Sequence, residues 1–412
     1  MSLPAPHDPY VSLRHREFRW YIVSLFAMTL GSQLQAVVVG WQVYSITHDP
    51  LALGLIGLAE ALPFIAVALP AGYLADRLNR RTVAVAGLAV LAMCAVALLV
   101  LSLGGVLARV GVTPIYVIIF ASGIARSLLQ PARQALSAEL VPREHLQNAI
   151  AWRSSSWQIA AVVGPAAGGL LYGFSGAVAA YSVDVALMFC ALAGMLTLRY
   201  ERGEWKPSVQ SLGTDLLVGL RFVLSQPVIL GAMSLDLFSV FLGGAEALLP
   251  VFASEVLHVG PQGLGVLRAA PAAGAVTMGL FLAHRRPFER AGRSMLLAVT
   301  AFALCIIGFG LSTSFWLSLA LLCVSGMADS VSVVIRSTLL QMLTPADMLG
   351  RTAAVNSVFV GSSNELGAFE SGVAARLFGA VPAVLLGGTA ALIVVGLTAR
   401  LVPALRKLDR IT

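Results

Sequence analysis

The chain has 412 residues, 58% of them hydrophobic and only 11% charged, with a mean hydropathy of +0.87. A soluble domain carries about 25% charged residues, so this composition excludes a water-soluble fold. The net charge of +7 collects in one set of loops, which marks membrane topology and argues against a nucleic-acid partner.

The polar segment from Met1 to Glu17 runs into a first helix over 18–46. That helix is too long for a secretory signal, so it is expected to remain as an uncleaved anchor. It carries Gln33 and Gln35 near its middle, with Trp41 and Tyr44 further on. Amides and aromatics on a cavity wall suit a large, partly polar small molecule, although Trp and Tyr also populate interfacial belts. Helix 2, over 52–76, holds Glu60 and runs into Gly72-Tyr73-Leu74-Ala75-Asp76-Arg77-Leu78-Asn79-Arg80-Arg81. There Gly72 admits a neighbouring helix, Asp76 suits a helix N-terminus, and Asn79 tolerates a left-handed turn. Helix 3, over 82–104, is charge-free throughout, long enough for a crossing that needs about 20 residues.

Helix 4, over 113–140, carries Arg126 and Arg133. Helix 5, over 146–173, contains Gly164-Pro165-Ala166-Ala167-Gly168-Gly169, where the proline bends the helix and the glycines permit close packing. Helix 6 covers 177–198. A polar stretch follows, in which Leu212, Leu216, Leu217, Leu220, Val223 and Leu224 stand against Asp215 and Arg221. This is the pattern of an amphipathic helix lying on the membrane surface. It divides the chain into a bundle over 1–199, a linker over 200–227 and a second bundle over 228–412.

Helix 7, over 228–255, adds Asp236 and Glu246, and helix 8 covers 262–284. The next loop, His284-Arg285-Arg286-Pro287-Phe288-Glu289-Arg290, is basic but lacks the Gly and Asp pattern of the loop after helix 2. Residues 294–328 are free of charge, too long a run for one crossing, and Gly310 to Ser314 divides it into helices 9 (294–311) and 10 (315–343). Helix 10 carries Asp329 and Arg336, helix 11 (348–376) carries Glu365 and Glu370, and helix 12 covers 380–402.

Lys and Arg bias sets the expected orientation. Arg14, Arg16, Arg77, Arg80, Arg81, Arg143, Arg202, Lys206, Arg285, Arg286, Arg290, Arg293, Arg406, Lys407 and Arg410 fall in one set of loops, and only Arg109 in the other. Both termini are therefore expected in the cytoplasm. Cys94, Cys190, Cys305 and Cys323 are scattered within helices and read as core residues. No metal-ligand spacing, Walker-type phosphate loop or nucleophile and base pair is present in the sequence. Neither a metal, a cofactor, direct ATP hydrolysis nor an enzymatic activity is expected.

The two halves repeat. Gly123-Ile124-Ala125-Arg126-Ser127 matches Gly326-Met327-Ala328-Asp329-Ser330, a spacing of 203, and the register holds through Gly176 and Gly379. Repeats of this kind build secondary transporters with a site between the halves near mid-bilayer. Arg126 and Asp329 share a repeat position about 13 residues, roughly 20 Å, into their helices, so they are expected to face one another there. Charges at that depth need a partner or a wet cavity. Asp236 is a candidate partner for Arg126, Glu246 a candidate proton entry point, and Glu60, Glu365 and Glu370 are carboxyls that can bind and release a proton. Arg133 and Arg336 are expected to snorkel or to hold helix ends. The plain alternative for each is a structural ion pair within one half or a neutral hydrogen-bonded carboxyl.

The loop from Gly72 to Arg81 resembles the signature of the major facilitator superfamily, with Asn79 in place of a glycine. The Gly164 to Gly169 segment is similar to the core of that superfamily's exporter motif, without its upstream glycines. Pro131 to Leu136, Val141 to Glu144, Val43 to His48, Leu340 to Pro345 and Met348 to Arg351 resemble the branch holding the enterobactin exporter and macrolide-efflux-like permeases. The resemblance implies an all-α membrane protein of twelve transmembrane helices in two pseudo-symmetric six-helix bundles. Helices 1, 4, 7 and 10 would line its cavity, helices 2 and 11 its interface, and Gly72, Asp76, Arg77, Arg80 and Arg81 its gating loop. It further implies a monomer of a bacterial inner membrane, in contact with lipids. Its activity would be export of amphipathic drug-like or siderophore-like molecules against protons by alternating access. A lysophospholipid flippase and a non-transporting sensor or scaffold are the other readings; the scaffold gives no reason for the intramembrane charges.

Overall fold

In lipid no water satisfies the peptide groups, so each crossing must close its hydrogen bonds internally, and apolar runs of this length become helices. The computed structural model describes residues 8–200, 212–285, 288–345 and 348–406, with backbone alone at 68–77, 108 and 212–216. Helices 1 to 4 are Arg16–Thr47, Pro50–Arg77, Arg80–Ser102 and Thr113–Glu139. The long helix Leu146–Thr197 is two crossings, because Gly176 at φ 78°, ψ 178° breaks it into helices 5 and 6; a side chain would be strained there. Helices 8 to 10 are Gly260–Ala283, Ala291–Leu311 and Phe315–Leu343, and helices 11 and 12 are Leu349–Phe378 and Ala380–Leu401. The expected twelve-helix architecture stands among the described residues.

Two local expectations change. Asn79 is not left-handed: at φ −66°, ψ 120° it caps helix 3, its side-chain oxygen accepting from the Arg81 and Thr82 amides at 3.0 and 3.4 Å. A cap satisfies donors that every helix start leaves open, which outweighs the turn preference. Helix 7 is not continuous: Pro227–Leu242 stops at Gly243 and Gly244, and the chain resumes through a 3-10 turn, Ala245–Leu248, to a π turn, Phe252–Val256. The linker helix, Leu212–Ser225, packs Val223 with Ile229, Met233 and Val355 and lays Gly219 against Arg351. It is thereby held by helices 7 and 11.

Helix 5 sits on helix 1, where a Cβ at Gly164 would meet the Leu30 carbonyl oxygen at 3.0 Å; helix 11 sits on helix 7, where a Cβ at Gly367 would meet the Phe241 oxygen at 2.8 Å. Leu30 and Phe241 are 211 residues apart, as are Pro50 and Pro261, and Gly54 and Gly265. Helices 1 and 2 thus repeat in a register eight residues longer than the rest. Most of the difference is the connection 103–112, with its short helix Val106–Val110, against three residues at 312–314. The bundles meet at two equivalent glycine crossings, Gly169 of helix 5 on Gly265 of helix 8 and Gly372 of helix 11 on Gly54 of helix 2.

Both crossings lie toward the 48–49 end of the molecule. The Tyr44 hydroxyl donates to Glu255 there, and Arg376 pairs with Asp49, both contacts joining the two bundles. At the 78–79 end, the described polar contacts of Arg80 with Glu139, Arg81 with the Leu196 carbonyl and His15 with His145 stay within the first bundle. Asp49 and Arg376 are 32% and 55% exposed, so their pair contributes only about 0.2–1 kcal/mol. Asp49→Asn is expected to raise thiol labelling of a cysteine placed near Gly54 by no more than a few fold; complete opening of this end would show that the ion pair, not the glycine crossings, holds it.

Candidate transport cavity

A cavity of about 110 Å³, in which a few charged and polar side chains stand among apolar ones, lies between the bundles. Gln35 of helix 1, Glu60 of helix 2 and Arg126 of helix 4 form one wall, and Pro250 of helix 7, Arg268 of helix 8 and Glu365 of helix 11 the other. Two carboxylates face two guanidinium groups, so the charges balance and none is stranded in the membrane. Arg126 is paired with Glu60 through one terminal nitrogen, and its Nε has no partner. Glu365 is attracted by Arg126 and by Arg268, and repelled by Glu246. Gln35 Nε2 is buried without a hydrogen bond, an unused donor beside the cavity.

A drug-sized ligand needs about 300–1,000 Å³. The cavity admits one only if the bundles part. A larger concavity, about 930 Å³, is elsewhere: Met93, Val96, Val100, Val117 and Phe189 line it on the outer faces of helices 3, 4 and 6. Apolar and open, it has the character of a lipid-facing groove and no chemistry for a polar ligand.

Of the residues singled out from sequence, Gln35, Glu60, Arg126 and Glu365 are brought together at this cavity. Gln33 lies one face away, its Cβ against Gly164. Arg126 does not face Asp329, and Asp236 does not pair with Arg126. Arg126 instead bonds Glu60, which lies alongside it across the helix 2 and helix 4 crossing at Gly123. Asp329 has Glu246 as its charged neighbour. Asp236 is paired with Arg336, their side chains 6% and 7% exposed, so Arg336 neither snorkels nor holds a helix end. Arg133, its repeat counterpart, reaches Met28 Sδ at 3.7 Å. Glu246 is exposed in the turn after the helix 7 break, and Glu370 is half-buried on helix 11 away from the cavity lining.

Gly164, Pro165, Gly168 and Gly169 are all buried: Gly164 and Gly168 pack on helix 1, while the Pro165 carbonyl and Gly169 pack on Gly265. The side chains of Asp76 and Arg77, and the surroundings of Gly72, lie outside the described residues. Among the ionisable residues that the sequence reading did not single out are Arg268 on the cavity wall and Asp184 in the middle of helix 6. The signal for each was a lone charge inside an apolar helix.

The transmembrane secretion effector family, MFS_3, matches residues 7–411. The enterobactin exporter EntS of Citrobacter koseri is 30% identical over 342 residues, 82% of this chain and 80% of that protein. The same values hold for EntS of Escherichia coli O1:K1 / APEC. Among solved structures, a POT family transporter has a TM-score of 0.74 at 12% identity, covering 95% of this chain and 97% of its own. A D-xylose-proton symporter has a TM-score of 0.72 at 14% identity, covering 96% and 100%. These likenesses carry the fold, and the EntS relatives carry the lineage. With twelve crossings, a repeated pair of bundles and a charged cavity between them, the chain belongs to the transmembrane secretion effector family, and it is a multi-pass membrane transporter of the major facilitator type rather than an enzyme.

Proposed function

We propose that this protein exports amphipathic, siderophore-like or drug-like small molecules across a bacterial inner membrane by alternating access, in exchange for protons. The supporting observation is Glu365, which faces Arg126 of one bundle and Arg268 of the other. Protonating it removes its attraction to Arg126, which spans the interface, and leaves Arg268 of its own bundle without that partner, so proton binding acts on the position of the bundles. In this reading both termini are cytoplasmic and the 48–49 end is periplasmic, so the contacts between the bundles there support a state closed to the periplasm. Substrate then enters from the cytoplasm, meeting the amide of Gln35 and the balanced charges of the cavity. The 30% identity to enterobactin exporters makes a catecholate siderophore the first substrate to try.

The test is uptake of enterobactin into everted vesicles with an acid-inside gradient. Wild-type protein is expected to accumulate it, and Glu365→Gln to abolish gradient-driven accumulation while keeping exchange of labelled for unlabelled compound. Gradient-driven uptake by Glu365→Gln at the wild-type rate would remove this carboxyl from the coupling. Absence of uptake by the wild type, repeated with lipophilic cations, would overturn the export reading.

A further inference from the structure

Asp184 lies near the middle of helix 6, fully buried, and both of its carboxylate oxygens lack a hydrogen-bond partner. Its Oδ1 rests against the backbone of Gly31 on helix 1, where an added Cβ would come within 2.9 Å. Helices 1 and 3, which pack on helix 6, present no charged side chain to it: residues 20–47 and 82–102 contain none. On its own helix Tyr181 is near, but that hydroxyl donates to Gln42. Among the described residues, helix 4 supplies the one cation that acts on it, Arg126, which is already paired with Glu60. An ionised carboxylate without hydrogen bonds or a dedicated counter-charge is not sustained in such a place.

We propose that Asp184 is a proton-binding site of the first bundle, loaded while Arg126 is engaged with Glu60 and emptied when Arg126 swings toward it. Gly31 and Gln35 lie one turn apart on the same face of helix 1, so Gln35, which lines the cavity with an unused donor, stands on the route between Asp184 and the cavity. The spare Nε of Arg126 supplies the capacity to change partners. The proton arrives at an Asp184 oxygen from the cavity and returns to it, and the arriving guanidinium replaces its charge. Asp184 thereby reports in one bundle the partner choice that Arg126 makes at the cavity. This rests on the proton-coupled reading above only for its physiological use, not for the protonation itself.

Infrared spectroscopy of the purified full-length protein separates the two. The C=O stretch of a protonated carboxyl is expected in the wild type at neutral pH and is expected to be missing in Asp184→Asn, whose neutral side chain should leave the melting temperature nearly unchanged. A band unaffected by Asp184→Asn, or a variant that melts as early as one with a broken buried ion pair, overturns the proposal. If Asp184→Asn does not fold, Gly31→Ala decides: crowding Oδ1 should shift the band, and an unshifted band overturns the assignment. In vesicles, Asp184→Asn should lose gradient-driven accumulation of enterobactin and keep exchange. If the wild type itself accumulates nothing, the export reading fails while the infrared band still decides this one.

Discussion

Asp236→Ala is expected to destabilise the protein by about 3–5 kcal/mol, because it leaves the Arg336 guanidinium charged, buried and unpaired. The side chains of the pair are 6% and 7% exposed, and Arg336 Nε already lacks a partner, so no solvent or spare acceptor stands ready. Asp236→Leu with Arg336→Met, which removes both charges and keeps the volume, is expected to recover most of that loss, since replacing a buried pair by apolar groups is often neutral or better. Thermal unfolding in detergent distinguishes the two variants. If the single and double variants melt alike, the pair is not a desolvated one. By contrast Arg126 and Glu60 are 34% and 22% exposed to the cavity, and Glu60→Gln should alter transport far more than melting.

Gly169→Val is expected to abolish transport while each bundle stays folded. A Cβ at Gly169 would lie 2.4 Å from the Pro261 oxygen and 2.7 Å from the Gly265 Cα, both backbone atoms that cannot step aside. Overpacking of this kind costs about 1–3 kcal/mol, which here acts only on the state with the 48–49 end joined and reduces its population roughly 5–150-fold. Cross-linking between cysteines placed at Asp49 and Arg376 reads that state directly. Substitution at Gly279, where nothing lies within 4 Å, is the matched control. Persistence of both cross-link and transport in Gly169→Val would mean that the crossing is looser than its geometry.

The helices were legible because lipid leaves little choice: length and hydropathy specify a crossing whatever its neighbours. Gly176 and Gly379 even marked the turns. Partner choice among charges was not legible, since Asp236 and Arg336 meet across 100 residues by the way helices 7 and 10 pack. Equal repeat position suggested that Arg126 and Asp329 would meet, yet a charge bonds the nearest counter-charge, and Glu60 lay alongside. The 211-residue register was hidden by the longer connection after helix 3. It also conceals why Arg268 and Asp184 were passed over: in their registers they stand opposite Gly57 and Gly387, positions with no charge to draw attention to them. Asn79 shows the same limit on a smaller scale, where a turn-forming residue had a helix start within reach.

Helix 7 makes the two bundles unequal as mechanical parts. Helix 1 is a single rod from Arg16 to Thr47, whereas its counterpart is two segments joined at Gly243 and Gly244. The joint is stitched to helix 11 by the Ser371 hydroxyl, which donates to the Gly244 carbonyl at 3.1 Å. A load applied near Glu246 therefore bends the second bundle at its joint but tilts the first as a stiff lever, and a molecule built on a near-symmetric plan acquires a compliant side and a rigid one.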